Sequence, residues 1–291
     1  MTTLHETPIK ENIFVWTLGG DTIQTSYGTN CTGIIGTDAV LLVDPLIAPA
    51  HARLVDEAVK DKSDAPVRFV VLTHHHTDHA LGSSHFAEQD AIVIAHRACR
   101  EAMATEHPHL IAERRQQPDL RDLFADAEHM LPAVTFDEGV VLHVGGIEVE
   151  VWHPGWGHTP GDAFLFVPES GVTVCGDLVF SGYHFNYEQA SIAGARKGLQ
   201  ALASLDAETF VPGHGETGGA EILDAQQQYH DTVQEIVSAG LSADKDDAAI
   251  AEEIRARFPD YRLSVVIPSA VAKMKAHLAK PAAPAPRPQH S

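Results

Sequence analysis

The chain has 291 residues, 44% hydrophobic and 21% charged, a balance that excludes wholesale disorder and suits one large layered α/β body with appendages. Its 40 acidic against 20 basic residues give a formal charge of -20, which repels phosphate backbones and anionic lipid, so neither nucleic acid nor a membrane is an expected partner. Three cysteines, Cys31, Cys99 and Cys175, do not make a disulfide framework, and MTTLHETPIKENIFVW carries no leader-like or membrane-anchoring pattern, so a reducing, cytoplasmic location is expected.

NIFVWTL (12–18) and CTGIIGTDAVLLVDP (31–45) predict strands, the second broken by a tight turn at Gly-Thr-Asp. Helical spacing follows over 50–60. VRFVVLT (67–73) is a nearly continuous apolar run suited to a strand covered on both faces. AIVIAH (91–96) predicts another strand, and the charged stretch 97–130, with Pro108 and Pro118 as breaks, predicts a helical insertion that lies over the site as a lid or simply covers apolar surface.

VVLHVGGIEVEVWHPG (140–155) and FLFVPESGVTVCGD (164–177) predict two hairpins, so the strands form two groups separated by helices. A helix near 192–204, the strand TFVP, a long helix over 220–239 and two closing helices complete the pattern. The expected division is a catalytic body over 1–235, a helical extension over 236–280 and a Pro-rich disordered tail over 281–291. The apolar terminal helices either cap the core or form a homodimer surface.

The chemistry concentrates where the 67–73 strand ends. His74, His75, His76, Asp78 and His79 spell H-H-H-x-D-H, and a turn leaving a strand can aim His74 and His76 at one point and Asp78 and His79 at a neighbouring one. Two metal ions about 3.5 Å apart would be served by that geometry. Three later Gly-bounded strand ends each add a ligand: His158 in GHTPGD, Asp177 in CGD and His214 in PGHG.

This set, in this order, resembles the metallo-β-lactamase superfamily over about residues 12–230. The resemblance implies a four-layer αββα sandwich with C-terminal helices and the metals at one edge. His74, His76 and His158 then hold one ion, Asp78, His79 and His214 the other, and Asp177 bridges, while His75 is not a ligand. Two Zn2+ ions suit five imidazoles and two carboxylates, with iron or manganese as alternatives. The implied reaction is hydrolysis by a metal-bridging hydroxide that Asp78 orients.

CGDLVFSG and GHTPGD are similar to glyoxalase II, with Asp162 in place of that family's last His, and VIAHRACREAM, the insertion, the 131–151 hairpin and VPGHG resemble the thioesterase and cyclase branch of aromatic polyketide pathways. The expected substrate is a small acyl thioester or similarly activated acyl compound, free or linked to coenzyme A or a carrier protein. Cyclic amides and esters, the substrates of β-lactamases and lactonases, are the alternative. Trp156, Phe180 and Tyr183 are expected to line an apolar pocket, and His184 is expected to be structural.

Overall fold

The computed structural model describes residues 3–279, and the tail expected to be disordered, 281–291, lies outside the described residues. Seven strands form one sheet in chain order: β1 (His5–Lys10), β2 (Ile13–Thr17), β3 (Asn30–Ile35), β4 (Val40–Val43), β5 (Val67–Leu72), β6 (Ile92–His96) and β7 (Val134–Phe136). β1 to β4 pair antiparallel, and β4 to β7 run parallel. Five more, β8 (Gly139–Val144), β9 (Ile147–Trp152), β10 (Phe164–Val167), β11 (Val172–Phe180) and β12 (Thr209–His214), form a second sheet in the order β12-β11-β10-β9-β8.

The layering follows from period-two side-chain alternation. Leu41 and Val43 on β4 face inward and meet Val149, Val151, Leu165 and Val174 of the second sheet, which builds the central core. Their neighbours Val40 and Leu42 face outward against helix α1 (Pro49–Lys60), through Ala52, Val55 and Val59. That double burial explains the unbroken VLLV run. On the far side Phe164, Cys175 and Phe210 pack against α5 (Ile192–Ala203) through Leu199 and Leu202. The result is the expected four-layer αββα sandwich. Gly145 and Gly146, at φ +52° and +91°, turn the β8–β9 hairpin in a backbone region that side-chain-bearing residues avoid.

Two short helices, α2 (Thr77–Ala80) and α3 (Ser83–Ala87), follow β5, and α4 (Arg97–Gln116) follows β6. Pro108 lies inside α4 rather than breaking it, because the buried face of Cys99, Met103, His107 and Ile111 offsets the roughly 3 kcal/mol lost to the missing hydrogen bond and ring clash; the helix ends before Pro118, and turns occupy 118–126. The long helix α6 (Glu221–Ser242) runs through position 235, so the terminal helices continue from the body without a linker at that point. α7 (Asp247–Arg257) and α8 (Ile267–Leu278) bury Ile250, Ile254, Val271 and Met274 against Phe185, Tyr187 and Tyr229. The two sheets approach each other at one open edge, where Thr29 and His214 form a bridge. Among the described residues no helix is long and apolar enough to cross a membrane.

Candidate metal centre

At the end of β4 the Asp44 backbone turns into the left-handed region, φ +56°, and its carboxylate grips the end of the adjacent strand. Thr73 donates its backbone N–H to Asp44 Oδ1 at 2.8 Å and its hydroxyl to Oδ2 at 2.6 Å. The chain leaving β5 is thereby fixed just before the histidine run. His74 and His76 project to one side; His75 instead lies beside Glu106, with Nε2 3.3 Å from Oε2. Helix α2 then carries Asp78 and His79 to the neighbouring point.

All seven residues expected as ligands converge. His76 Nδ1 and His158 Nε2 lie 2.9 Å apart, and Asp177 Oδ2 is 3.3 Å from His158 Nε2 and 3.6 Å from His74 Nε2. On the other side His79 Nε2 and His214 Nε2 are 3.3 Å apart, with Asp78 Oδ2 3.4 Å from each. Asp177 turns its second oxygen, Oδ1, to this group, 3.2 Å from His79 and 3.4 Å from His214. One carboxylate therefore spans two clusters, each compact enough to hold one ion.

Hydrogen bonds on the outer nitrogens set the rings up as ligands. Because the Thr73 hydroxyl proton goes to Asp44, its oxygen accepts from His74 Nδ1 at 3.0 Å. His76 Nε2 donates to Gln189 Oε1, His79 Nδ1 to Asp44 Oδ2 and His214 Nδ1 to the Tyr27 carbonyl, at 3.1, 2.8 and 3.1 Å. The opposite nitrogens face one another; those of His74 and His76 are left as lone pairs, while those of His79 and His214 face the Asp78 and Asp177 carboxylates and would give up a proton to a bound cation. Buried His74 Nε2 in the first cluster and Asp177 Oδ1 in the second have no hydrogen-bond partner, an arrangement that is costly unless each cluster holds a cation. Five imidazoles and two carboxylates form a donor set that fits zinc.

The two clusters differ electrostatically. Burial, with neighbouring histidines, pushes His74 well below the usual imidazole range, His76 to about 4 and His158 to about 3. Burial also disfavours charge on His79 and His214, yet the Asp177 and Asp78 carboxylates outweigh it, raising His79 well above the usual range and His214 to about 9. Asp78 and Asp177 are likewise opposed by burial but held well below the carboxylate range by these histidines.

Several further residues support the ligands. Thr29 Oγ1 donates to Asp78 Oδ2 at 2.9 Å, and Ser26 Oγ donates to the Asp78 carbonyl at 3.0 Å from a 3-10 turn (Ile23–Gly28) whose Ser26 and Tyr27 both sit at φ 53°. Asp162 accepts four hydrogen bonds: backbone N–H groups of Gly157, His158 and Thr159 and the Thr159 hydroxyl, at 2.6–3.1 Å. That clasp orients His158. At Gly213 a Cβ would lie 1.9 Å from Asp177 Oδ1, so only glycine lets β12 approach the bridging carboxylate. Position in LLVDP and GHTPGD marks Asp44 and Asp162 in the sequence; nothing marks Thr29.

A cavity of about 290 Å³ opens onto Asp78, Asp177 and His214. Phe180 lines it, as expected, together with Tyr27, Leu110, Leu263, Val265 and Val266. The other two expected pocket residues do not. Trp156, half exposed, donates its indole N–H to the Gln189 carbonyl and faces a different concavity beside α8. Tyr183 packs one face against His214 but turns its hydroxyl to the Gly20 carbonyl, 2.6 Å away, so it lines the opposite side of the β12 edge. His184 is buried, with Nδ1 3.0 Å from the Tyr229 hydroxyl, a structural position. Helix α4 supplies Glu106, Leu110 and Arg114 to the cavity, and its His107 Nε2 donates to the His75 carbonyl at 2.6 Å.

Comparison with known proteins agrees with this geometry. A profile described as the Metallo-beta-lactamase superfamily matches residues 25–214. The chain is 27% identical over 204 residues to the 2,4-dinitroanisole O-demethylase subunit alpha of Nocardioides sp. (strain JS1661), covering 69% of this chain and 55% of that protein. It is 25% identical over 175 residues to a metallo-beta-lactamase type 2 of Elizabethkingia meningoseptica, covering 60% of this chain and 61% of that one. The chain thus spans less than two thirds of the length of either relative. Among solved structures, the mono-zinc form of the metallo-beta-lactamase FIM-1 from Pseudomonas aeruginosa superposes with a TM-score of 0.63 at 21% identity, covering 79% of this chain and 95% of that one.

Proposed function

Because the chain belongs to the metallo-β-lactamase superfamily, we propose that it is a dinuclear, zinc-dependent hydrolase that cleaves a thioester or similarly activated acyl bond. The observation that carries this reading is Asp177, whose two oxygens face two separate groups of imidazole nitrogens. Residues His74, His76 and His158 would hold one ion and Asp78, His79 and His214 the other, with Asp177 shared. When bound, the ions supply Lewis acidity and lower the pKa of a coordinated water toward neutrality.

The protein's own groups do the rest. Asp78, ionised and held at Oδ2 by Thr29, has its second carboxylate oxygen left to accept from the attacking water and would orient it. Tyr27, Phe180 and Val266 give the cavity an apolar wall that excludes bulk water and accepts an acyl chain. A coenzyme A or carrier-protein arm would extend outward through the mouth.

Hydrolysis of a cyclic amide is the second reading, supported by the names of relatives in Elizabethkingia meningoseptica and Bacillus cereus. The test is turnover by zinc-loaded protein across acyl-CoA thioesters, S-lactoylglutathione, a lactone, β-lactams and an aryl methyl ether, with Asp78→Ala as the blank. Thioester turnover that vanishes in the variant supports the proposal. Turnover confined to β-lactams or to the ether overturns it in favour of the corresponding relative's chemistry.

A further inference from the structure

Among the described residues, Arg114 is the single Lys or Arg side chain lining the cavity over the metal centre. It projects from α4 and donates Nη2 to the Thr77 hydroxyl at 2.7 Å. Thr77 stands between His76 and Asp78, so the guanidinium is tied to the ligand run itself. Its group lies over the Phe124 ring, 4.8 Å from the centroid, and Nη1 is buried with no hydrogen-bond partner. Among the described residues no carboxylate comes within ion-pair distance of it, whereas buried arginines are normally paired.

The acidic groups that share the cavity are otherwise engaged. Glu106 faces His75 Nε2 and accepts from Gln189 Nε2, both at 3.3 Å. Asp78 and Asp177 belong to the metal clusters, and Glu188 is exposed at the rim. A partly buried cation held beside the reaction centre, braced by a hydroxyl and an aromatic face, and with no carboxylate in direct contact although Asp78 lies in its field, has the form of an anion receptor.

We propose that Arg114 is a specificity-determining residue that binds a carboxylate on the substrate, so that the enzyme acts on small acyl compounds bearing a free carboxylate near the scissile bond. This rests on the metal-centre reading above. The guanidinium supplies parallel N–H donors to the carboxylate, and the apolar lip of Leu263, Val265 and Val266, with Val265 74% exposed, accepts the hydrocarbon part. Neutral acyl compounds of the same length would leave the charge unsatisfied and bind more weakly.

A binding experiment separates this inference from hydrolysis. Cobalt-loaded protein is titrated with ω-mercaptocarboxylates of two to six methylenes and with alkanethiols of matching length, and the thiolate-to-cobalt absorption band reads occupancy. For wild type the best mercaptocarboxylate should bind about 10- to 100-fold more tightly than its alkanethiol, as expected for a charge-assisted hydrogen-bonded pair. In Arg114→Gln the advantage should fall below about 3-fold, and Arg114→Lys should keep a part of it. If wild type shows no preference, or Arg114→Gln retains it in full, Arg114 is only a brace between α4 and α2 and the inference fails while the metal centre stands. Failure of wild type to bind cobalt would overturn the metal reading and this inference together.

Discussion

Asp44 accepts the Nδ1 proton of His79 across 2.8 Å, and both residues are fully buried. Oδ2 of the same carboxylate also takes the Thr73 hydroxyl and Oδ1 the Thr73 N–H, so Oδ2 is fully engaged as a hydrogen-bond acceptor although Asp44 lies close enough to His74 and His79 to be counted with them as a ligand group. Its role is to fix the His79 tautomer and ring plane, which leaves Nε2 facing Asp177. Asp44→Asn keeps the shape but can present a donor to His79. The expected outcome is a 10- to 100-fold loss of affinity for the ion held by Asp78, His79 and His214, measured by competition with a chromophoric chelator, with the other ion retained.

Asp162→Asn tests the clasp under His158. Both carboxylate oxygens accept two donors, so an amide must point an N–H at another donor wherever it turns. A cost of about 1–3 kcal/mol follows, seen as a thermal midpoint lower by several degrees, together with weaker retention of the ion held by His74, His76 and His158.

Gly213→Ala would set a methyl group against the bridging oxygen, 1.9 Å from it before any relaxation. Backbone β12 cannot retreat without dragging His214 with it. Elemental analysis of the dialysed variant should show about one ion per chain in place of two, with activity reduced by at least about 100-fold.

The metal-free protein should have a stability maximum near pH 6.5. Burial depresses His51 and His107 to about 4 and His230 to about 3, as it does His76 and His158 at the first cluster. Below pH 6.5 the unfolded chain protonates these groups and the folded one does not, so stability falls with pH, by up to about 1.4 kcal/mol per pH unit for each fully buried histidine. Above pH 6.5 the sign reverses at His79 and His214, whose raised values keep a proton in the folded state that the unfolded chain has lost; that stabilisation fades as pH rises through about 9. Urea unfolding of metal-free protein at pH 5, 6.5 and 9 checks both limbs. A monotonic rise across the range would contradict the assignment of protonated His79 and His214.

The ligands were legible because the chemistry needs particular residue types at strand ends, and H-H-H-x-D-H, GHTPGD, CGD and PGHG keep those types beside glycines. The layered fold was legible because apolar runs such as VLLV and VRFVVL mark strands covered on both faces. β1 was not, since HETPIK is an exposed edge strand whose polar, proline-containing sequence lacks an apolar face. The short β7, VTF, is too brief to show a period. Thr29 and Arg114 reach the centre from remote segments, 49 and 37 residues from the partners they touch, so only the folded chain brings them there. Trp156 and Tyr183 were near a ligand in sequence, but their polar tips are drawn away by the Gln189 and Gly20 carbonyls.

The claim on which the rest depends is that Asp177 joins two adjacent metal sites. X-ray absorption at the zinc edge of fully loaded protein, combined with elemental analysis, tests it most directly. Two zinc ions per chain and a metal–metal scattering path of about 3.5 Å are predicted, with the path lost in Asp177→Ala. One ion per chain, or two ions without a metal–metal path, would contradict the account.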